Sequence, residues 1–326
     1  MEREMKVSVV CPFYNEEAII ENGIKGMADK LATLPHDWEL IVVNDGSLDD
    51  SFEGATRAAK MNPRIRVVGY EKNRGRGYAI RHGISQATGD VVVTTEIDLS
   101  WGDDIVHRIV QTFEQNPKAD MVVASPNLPG GAYKNVPMKR VLISKIGNKI
   151  IRMGQGREMT MYTGMTRGYK RESFLTLPID EDEKEFHLEV AQKAQAFHFK
   201  IIEIPCVLEW KDAKLARPGS AKRKSSSKIP KLIKTHMVFA GAAAPFRYIL
   251  PISIFMILIS SFFGIWAVRN FVIGETSVFV LITGLLFFLI GFVGFFIGML
   301  SFQNQLIQRD LWRIRSELMI QSRNGK

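Results

Sequence analysis

Gly89-Asp90-Val91-Val92-Val93-Thr94-Thr95-Glu96-Ile97-Asp98 is a short apolar run that ends in two carboxylates. Three consecutive valines bounded by polar residues predict a strand buried on both faces, as the strands of a parallel sheet are. Glu96 and Asp98 lie just past its carboxyl end, the edge at which open parallel sheets bind ligands. Two acidic side chains one residue apart can share a hard cation, which in turn can hold a diphosphate that carboxylates alone would repel. An ordinary solvated strand end reads the same way, so the flanking sequence has to decide.

On either side the chain alternates strand and helix. Val7-Ser8-Val9-Val10-Cys11-Pro12 predicts a first strand, and Asn15-Glu16-Glu17 opens a helical pattern to about Leu31. Residues 39–44 predict a second strand, followed by Asp45-Gly46-Ser47-Leu48-Asp49-Asp50 and a helix over about 51–61. Residues 66–69 predict a third, followed by a glycine-rich turn and a helix from about Tyr78; beyond the acidic strand come a helix over 103–115 and a strand over 121–124. Such alternation implies an α/β fold with a mostly parallel, doubly wound sheet. Each strand ends in polar residues that converge on one edge: Tyr14, Asn15 and Glu16, then Asp45 and Ser47, then Asn73 and Arg74, then Glu96 and Asp98. The first two sets offer acceptors and a stacking surface for a base and ribose, and the last two offer a cation or metal site for phosphates.

The 326 residues hold 43 Lys+Arg against 34 Asp+Glu, a formal charge of +9 that calls for an anionic partner such as membrane, nucleotide or nucleic acid. The location of the charge discriminates between them. Residues 249–268 are about 20 nearly unbroken apolar positions, enough to span a bilayer, and 278–300 form a second span of similar length. The connection, 269–277, carries one basic residue while both outer flanks are rich in Lys and Arg, which predicts a hairpin with both flanks and the whole first domain in the cytoplasm. Met1-Glu2-Arg3-Glu4-Met5 has no apolar signal core, which agrees. Gly284, Gly291, Gly294 and Gly298 permit close helix packing within the hairpin or between subunits of a homo-oligomer. Residues 305–320, with Arg309, Arg313 and Arg315, predict a juxtamembrane helix on an anionic lipid surface. Lipid and phosphate thus account for the charge without nucleic acid. Cys11 and Cys206 are too few and too isolated for a metal cluster or a disulfide framework, and read as buried packing residues.

The ordered set Val9-Val10-Cys11-Pro12-Phe13-Tyr14-Asn15-Glu16-Glu17, Val42-Val43-Asn44-Asp45-Gly46-Ser47-Leu48-Asp49, Asn73-Arg74-Gly75-Arg76-Gly77-Tyr78-Ala79 and the acidic strand end resembles family-2 glycosyltransferases of the GT-A fold over roughly the first two-thirds of the chain. The resemblance implies that Pro12, Tyr14, Asn15, Glu16 and Asp45 hold a nucleotide-sugar donor, and the polar strand ends add Ser47 and Arg74 to that set. It also implies that the acidic motif, usually Asp-x-Asp, holds Mg²⁺ or Mn²⁺ against the donor diphosphate. Asp98 matches the motif; Glu96 stands where the first Asp belongs, and Ser100-Trp101 follows where the polyprenyl-phosphate branch often has a Gln.

Further on, 127–140 reads as a mobile Pro/Gly-rich loop and 141–153 as an amphipathic helix. Thr163-Gly164-Met165-Thr166-Arg167-Gly168-Tyr169-Lys170-Arg171 resembles the Arg-x-Tyr-Arg-Arg segment of polyprenyl-phosphate hexosyltransferases, with Arg167 as a phosphate-binding arginine; a solvated basic turn is the plainer reading. His187 reads as a surface or packing histidine rather than a base. The tract 217–228 is similar to that branch's Arg-x-x-Gly-x-Ser-Lys phosphate loop, with Arg217 as its arginine and either Ser220 with Lys222 or Ser227 with Lys228 as its Ser-Lys. The resulting division is a cytoplasmic GT-A domain over 1–229, an interfacial helix within 230–245, two spans over 246–300 and a juxtamembrane helix over 301–326. The function implied is inverting transfer of a hexose, from a donor of the GDP-mannose or UDP-glucose kind, to dolichyl or undecaprenyl phosphate at the cytoplasmic face of a cell or endoplasmic-reticulum membrane. Two alternatives stand beside it. A processive polysaccharide synthase of the same fold would need a carboxylate base, more spans and a Gln-x-x-Arg-Trp motif; a non-catalytic membrane scaffold would keep the nucleotide site but lose metal chemistry through Glu96.

Overall fold

Val91–Thr94 is buried at all four positions, because it has a neighbour on each edge and helices on each face. The computed structural model describes residues 5–155, 159–183, 185–210, 246–275 and 277–324. These fall into two units, Met1–Lys149 with Glu158–Ser226 and Arg315–Lys326, and Ile150–Arg157 with Ser227–Ile314.

From Lys6 to Glu209 the elements run β1 (Lys6–Phe13), α1 (Glu17–Leu31), β2 (Asp37–Asp45), α2 (Ser51–Ala59), β3 (Ile65–Tyr70), α3 (Arg76–Gln86), β4 (Val91–Thr94), α4 (Ile105–Gln115), β5 (Met121–Ser125), β6 (Ala132–Lys134), α5 (Met138–Gln155), β7 (Arg167–Lys170), α6 (Arg171–Leu175), α7 (Phe186–Ala196), β8 (Ile201–Pro205) and β9 (Val207–Glu209). Seven strands form one sheet in the order β3-β2-β1-β4-β7-β5-β8, parallel except for β7, which runs antiparallel between β4 and β5. The order reverses between β1 and β4, and that topological switch point is where an open α/β sheet leaves a crevice at its carboxyl edge.

Register fixes which helix covers which face. Val9, Val93 and Gly168 stand in one row across the sheet, and Val10, Thr94 and Arg167 stand in the next row, on the opposite face. Gly83 of α3 lies directly on Val10 and Val43, with no room for a side chain, whereas Gly168 is closed over by Ile109 and Phe113 of α4. Helices therefore cover both faces, as the alternation of the sequence implied. On α1, Ile20, Ile24, Met27, Ala28 and Leu31 form the buried stripe at helical spacing.

At the amino edge the sheet is tied by a carboxylate. Glu39 accepts Ser8 Oγ at 2.6 Å, Thr88 N at 2.7 Å, Thr88 Oγ1 at 2.8 Å and Arg66 Nη2 at 2.6 Å. Burial alone would raise its pKa, but these hydrogen bonds outweigh it and hold the carboxyl down at about 2.

Three expectations change here. The stretch expected as a loop over 127–140 contains β6, which pairs parallel with β9 in a small second sheet. The segment around Arg167 is a buried strand of the main sheet rather than a surface turn. After the sheet, α8 (Phe246–Val272) and α9 (Val278–Asn324), the latter in the second unit as far as Ile314, are both long and apolar enough to cross a membrane, and the expected separate juxtamembrane helix is the continuation of α9. Gly284 packs on Phe263, Gly291 on Ser253 and Ile257, Gly294 on Ser253 and Gly298 on Leu250, so the small residues serve packing inside the hairpin. Those contacts lend no support to association between copies.

Candidate active site

Two loops beyond β1 and β2 lock onto each other at the carboxyl edge. Asn15, with φ of 53°, sits in the left-handed region that asparagine tolerates better than most residues. Its backbone N–H donates to Ser47 Oγ at 3.1 Å, and its side-chain carbonyl accepts Leu48 N at 2.8 Å. Glu16 N donates to Ser51 Oγ at 2.7 Å. Asn15, Glu16 and Ser47 thus form one rigid rim, with Pro12 and Tyr14 half-buried beside it.

Asp45 is buried, and its carboxylate organises the next loop. Oδ1 accepts Tyr70 OH at 2.8 Å, Arg74 N at 2.9 Å and Gly75 N at 3.2 Å, while Oδ2 accepts Asn73 Nδ2 at 3.0 Å. Gly46 must be glycine, since its φ is 65° and a Cβ would stand 2.5 Å from Asn73 N. Arg74 lies over the Tyr78 ring at 3.5 Å, is half-exposed and stands 4.0 Å from Asp182. Asp45 is therefore chiefly the anchor of the 73–75 turn. Neither Tyr70 nor Asn73 stood out in the sequence as its partner, because the contacts cross between strands.

Glu96 and Asp98 come together as expected, both half-buried at the end of β4. Ser100 organises the pair, its N–H donating to Asp98 Oδ1 at 3.0 Å and its hydroxyl to Glu96 Oε2 at 2.8 Å. Burial, followed by the charges of Asp98 and Glu96, drives the Cys11 thiol far above its ordinary range, which leaves it an inert core group under the two carboxylates. No set of three or more His, Cys, Asp or Glu able to hold a metal occurs among the described residues. Two adjacent carboxylates nonetheless fit Mg²⁺ or Mn²⁺, hard ions that are commonly held by one or two carboxylates together with substrate phosphates.

Arg167 is placed differently from the expectation. It is fully buried, with Nε donating to Gly164 O at 2.9 Å, Nη1 to His187 O at 3.0 Å and Nη2 to Tyr162 O at 2.6 Å. An arginine spent on three backbone carbonyls pins the 162–164 turn and the start of α7 to the sheet; it does not present its fork to a phosphate. His187 is also buried, and burial, then the charges of Arg167 and Arg76, keep its pKa well below the ordinary value, so it stays neutral. Arg217, Ser220 and Lys222 lie outside the described residues.

The comparisons agree with this geometry. The profile of Glycosyl transferase family 2 matches residues 8–177, more than half of the chain. An undecaprenyl-phosphate 4-deoxy-4-formamido-L-arabinose transferase of Photorhabdus laumondii is 34% identical over 171 residues, which are 52% of this chain and 50% of that protein. A dolichol-phosphate mannosyltransferase of Pyrococcus furiosus is 31% identical over 141 residues, 43% of this chain and 39% of that one. The chain thus spans about half the length, or less, of these relatives. Among solved structures, glucosyl-3-phosphoglycerate synthase of Mycobacterium tuberculosis, in complex with Mn²⁺, UDP and glucosyl-3-phosphoglycerate, aligns with a TM-score of 0.53 at 21% identity, over 73% of this chain and 80% of that one. At that identity the likeness concerns the fold, which is the GT-A sheet expected from the sequence. With β2 to β7 and all but the first two residues of β1 inside the matched region, and the acidic pair at the switch point, the chain belongs to glycosyl transferase family 2.

Proposed function

We propose that the protein transfers a hexose, with inversion, from a nucleotide sugar to a polyprenyl phosphate at the cytoplasmic face of a membrane. The observation that carries this reading is the meeting, at one switch point, of the Asn15–Ser47 rim, the Asp45-anchored loop with Arg74, and the Glu96–Asp98 pair. The rim and loop bind and orient the nucleoside end of the donor. Glu96 and Asp98 hold a divalent ion, which when bound supplies charge stabilisation to the leaving diphosphate. Donor of the GDP-mannose or UDP-glucose kind and acceptor of the dolichyl or undecaprenyl kind are both compatible with these groups.

The acceptor needs no base. A phosphate monoester has a second pKa of about 6 and is ionised near neutral pH, so the buried, neutral His187 leaves no gap in the reaction. Support for a membrane acceptor comes from α8 and α9, and from α5, where Met138, Leu142 and Ile146 are exposed at four-residue spacing beside Lys139, Arg140, Lys145 and Lys149. An exposed apolar stripe flanked by cations suits the surface of an anionic bilayer. The basic tract containing Arg217 begins shortly after Glu209, whose N–H donates to Ser100 O at 2.7 Å, next to the acidic pair. We assign Arg217 with Ser220 and Lys222 to the acceptor phosphate on the likeness of 217–228 to the phosphate loop of the polyprenyl-phosphate branch.

The deciding test incubates membranes holding the full chain with labelled nucleotide sugars and polyprenyl phosphates, with and without Mn²⁺. The panel includes GDP-mannose, UDP-glucose and a 4-deoxy-4-formamido-arabinose donor. Metal-dependent label in the lipid fraction is the expected result. Label in a growing polysaccharide, or nucleotide binding without transfer, would replace this reading by the synthase or the scaffold.

A further inference from the structure

The loop 180–183 carries four consecutive acidic residues, Asp180-Glu181-Asp182-Glu183, and it is clamped from three directions. From below, Glu189 of α7 accepts Asp180 N at 3.1 Å and Glu181 N at 2.8 Å, and Glu189 is itself paired with the buried Lys193 at 2.5 Å. Sideways, the loop is fitted into the glycine-rich turn 73–78. Asp182 O accepts Tyr78 N at 3.0 Å, the Asp182 carboxylate pairs with Arg81 and stands 4.0 Å from Arg74, and a Cβ on Gly75 would lie 2.5 Å from Asp182 O. The third hold comes from a residue more than 130 positions away. Arg315 makes a two-pronged pair with Asp180, Nη1 to Oδ2 at 2.6 Å and Nη2 to Oδ1 at 2.7 Å. Arg315 and the residues after it group with the sheet unit.

That placement departs from the sequence reading, in which Arg315 joined Arg309 and Arg313 on a lipid surface. A bidentate guanidinium–carboxylate pair fixes orientation as well as distance, which a lysine cannot do. The hydrogen bonds from Arg315 are also the main reason the Asp180 carboxyl sits below its ordinary range. One residue, Glu181, separates the carboxylate that Arg315 holds from the one that holds Arg81 and faces Arg74.

We propose that Arg315 is a positioning residue for the nucleotide-sugar site: by holding Asp180 it braces the acidic loop against the 73–78 turn, and so fixes Arg74 and the Asp45-anchored backbone for the donor. The proposal rests on the reading of that crevice as a nucleotide site. Arg315 touches no substrate; it acts through Asp180 and Asp182. Both partners of the pair are about half exposed, so the expected coupling is modest, about twofold to fivefold in affinity.

The test uses the full chain in detergent or nanodiscs, titrated calorimetrically with UDP and with GDP in the presence of Mn²⁺, together with hydrogen exchange over residues 73–78. Arg315→Gln and Asp180→Asn should each weaken the nucleotide that binds by about twofold to fivefold and speed exchange in 73–78. The double variant should be no weaker than Asp180→Asn alone, which also loses the 3.7 Å ion pair with Lys193, since Arg315 acts through Asp180. Arg315→Lys should recover part of the loss, and the donor KM should rise with kcat nearly unchanged. Unaltered affinity and exchange in Arg315→Gln would overturn the proposal, as would single losses that simply multiply in the double variant. If neither nucleotide binds even the unaltered protein, the reading of the site fails, while the exchange measurement still decides whether Arg315 braces the turn.

Discussion

Ser100 donates its hydroxyl to Glu96 Oε2 at 2.8 Å, so the longer of the two acidic side chains is held by its neighbour instead of swinging free. A glutamate has one more rotatable bond than the aspartate usual at this place, and the serine removes much of that added freedom. The residue that departs from the family pattern and the residue that compensates for it lie four positions apart.

Asp98→Asn should abolish transfer, Glu96→Gln should weaken it, and Ser100→Ala should raise the Mn²⁺ concentration needed for half-maximal rate by about tenfold or more, as loss of a group that orients a metal ligand commonly does. Mn²⁺ and Mg²⁺ titrations of transfer by each variant measure this. Full activity of Asp98→Asn with the metal chelated would sink the assignment.

For Arg167 the expected defect is structural. Replacing it by Ala removes three charge-assisted hydrogen bonds and leaves three carbonyls to find other partners, a loss of about 3 kcal/mol or more. Thermal unfolding in detergent should show a much lower midpoint, with little change in the lipid-phosphate KM of the molecules that remain folded. A variant as stable as the unaltered protein but unsaturable by acceptor would return Arg167 to the phosphate.

Glu39 gives a signed dependence on pH. Its carboxyl is held at about 2 against an ordinary value of 4.5, so its contribution to stability, up to about 3 kcal/mol, is fully present above about pH 4.5 and is lost as pH falls toward 2. Glu39→Gln should therefore be destabilised most at neutral pH, and the difference from the unaltered protein should shrink through that acidic window. Unfolding free energies at pH 7, 4 and 3 would show it; a gap that widens on acidification would contradict it.

Leu142→Glu with Ile146→Glu places two negative charges in the exposed stripe of α5. The fold should tolerate both, since neither side chain is buried. Transfer to long-chain polyprenyl phosphate in anionic vesicles should fall severalfold, and nucleotide affinity should stay the same. Equal turnover on vesicles would remove α5 from the membrane surface.

Much of the molecule could be read from local pattern. The three valines before Glu96, the polar strand ends and the two apolar spans each declare themselves over ten or twenty residues, because burial and periodicity are local properties of sequence. Arg167 was legible as a special arginine but not as a buried one, since what decides its exposure is β7 lying between β4 and β5, a pairing of segments more than 40 residues apart. The same limit hid Tyr70 on Asp45 and Arg315 on Asp180. Ser100 is the exception in kind: a hydroxyl two residues past an aspartate is open to reading as a local tie from the sequence alone.

The reversed direction of β7 has a further consequence. β5 ends at Ser125 and β7 begins at Arg167 on the same rim of the sheet, so the intervening chain leaves and returns at one edge without having to cross a face. Such an excursion, which here carries β6 and α5, can change in length or composition while the strand register beneath it stays intact. In the half built by β1 to β4 the loops are bound directly to one another, Asn15 to Ser47 and Leu48, and Asp45 to the 73–75 turn. Residues 126–166 can therefore be rewritten from one relative to the next without moving the strand ends that carry Asn15, Asp45 and Glu96.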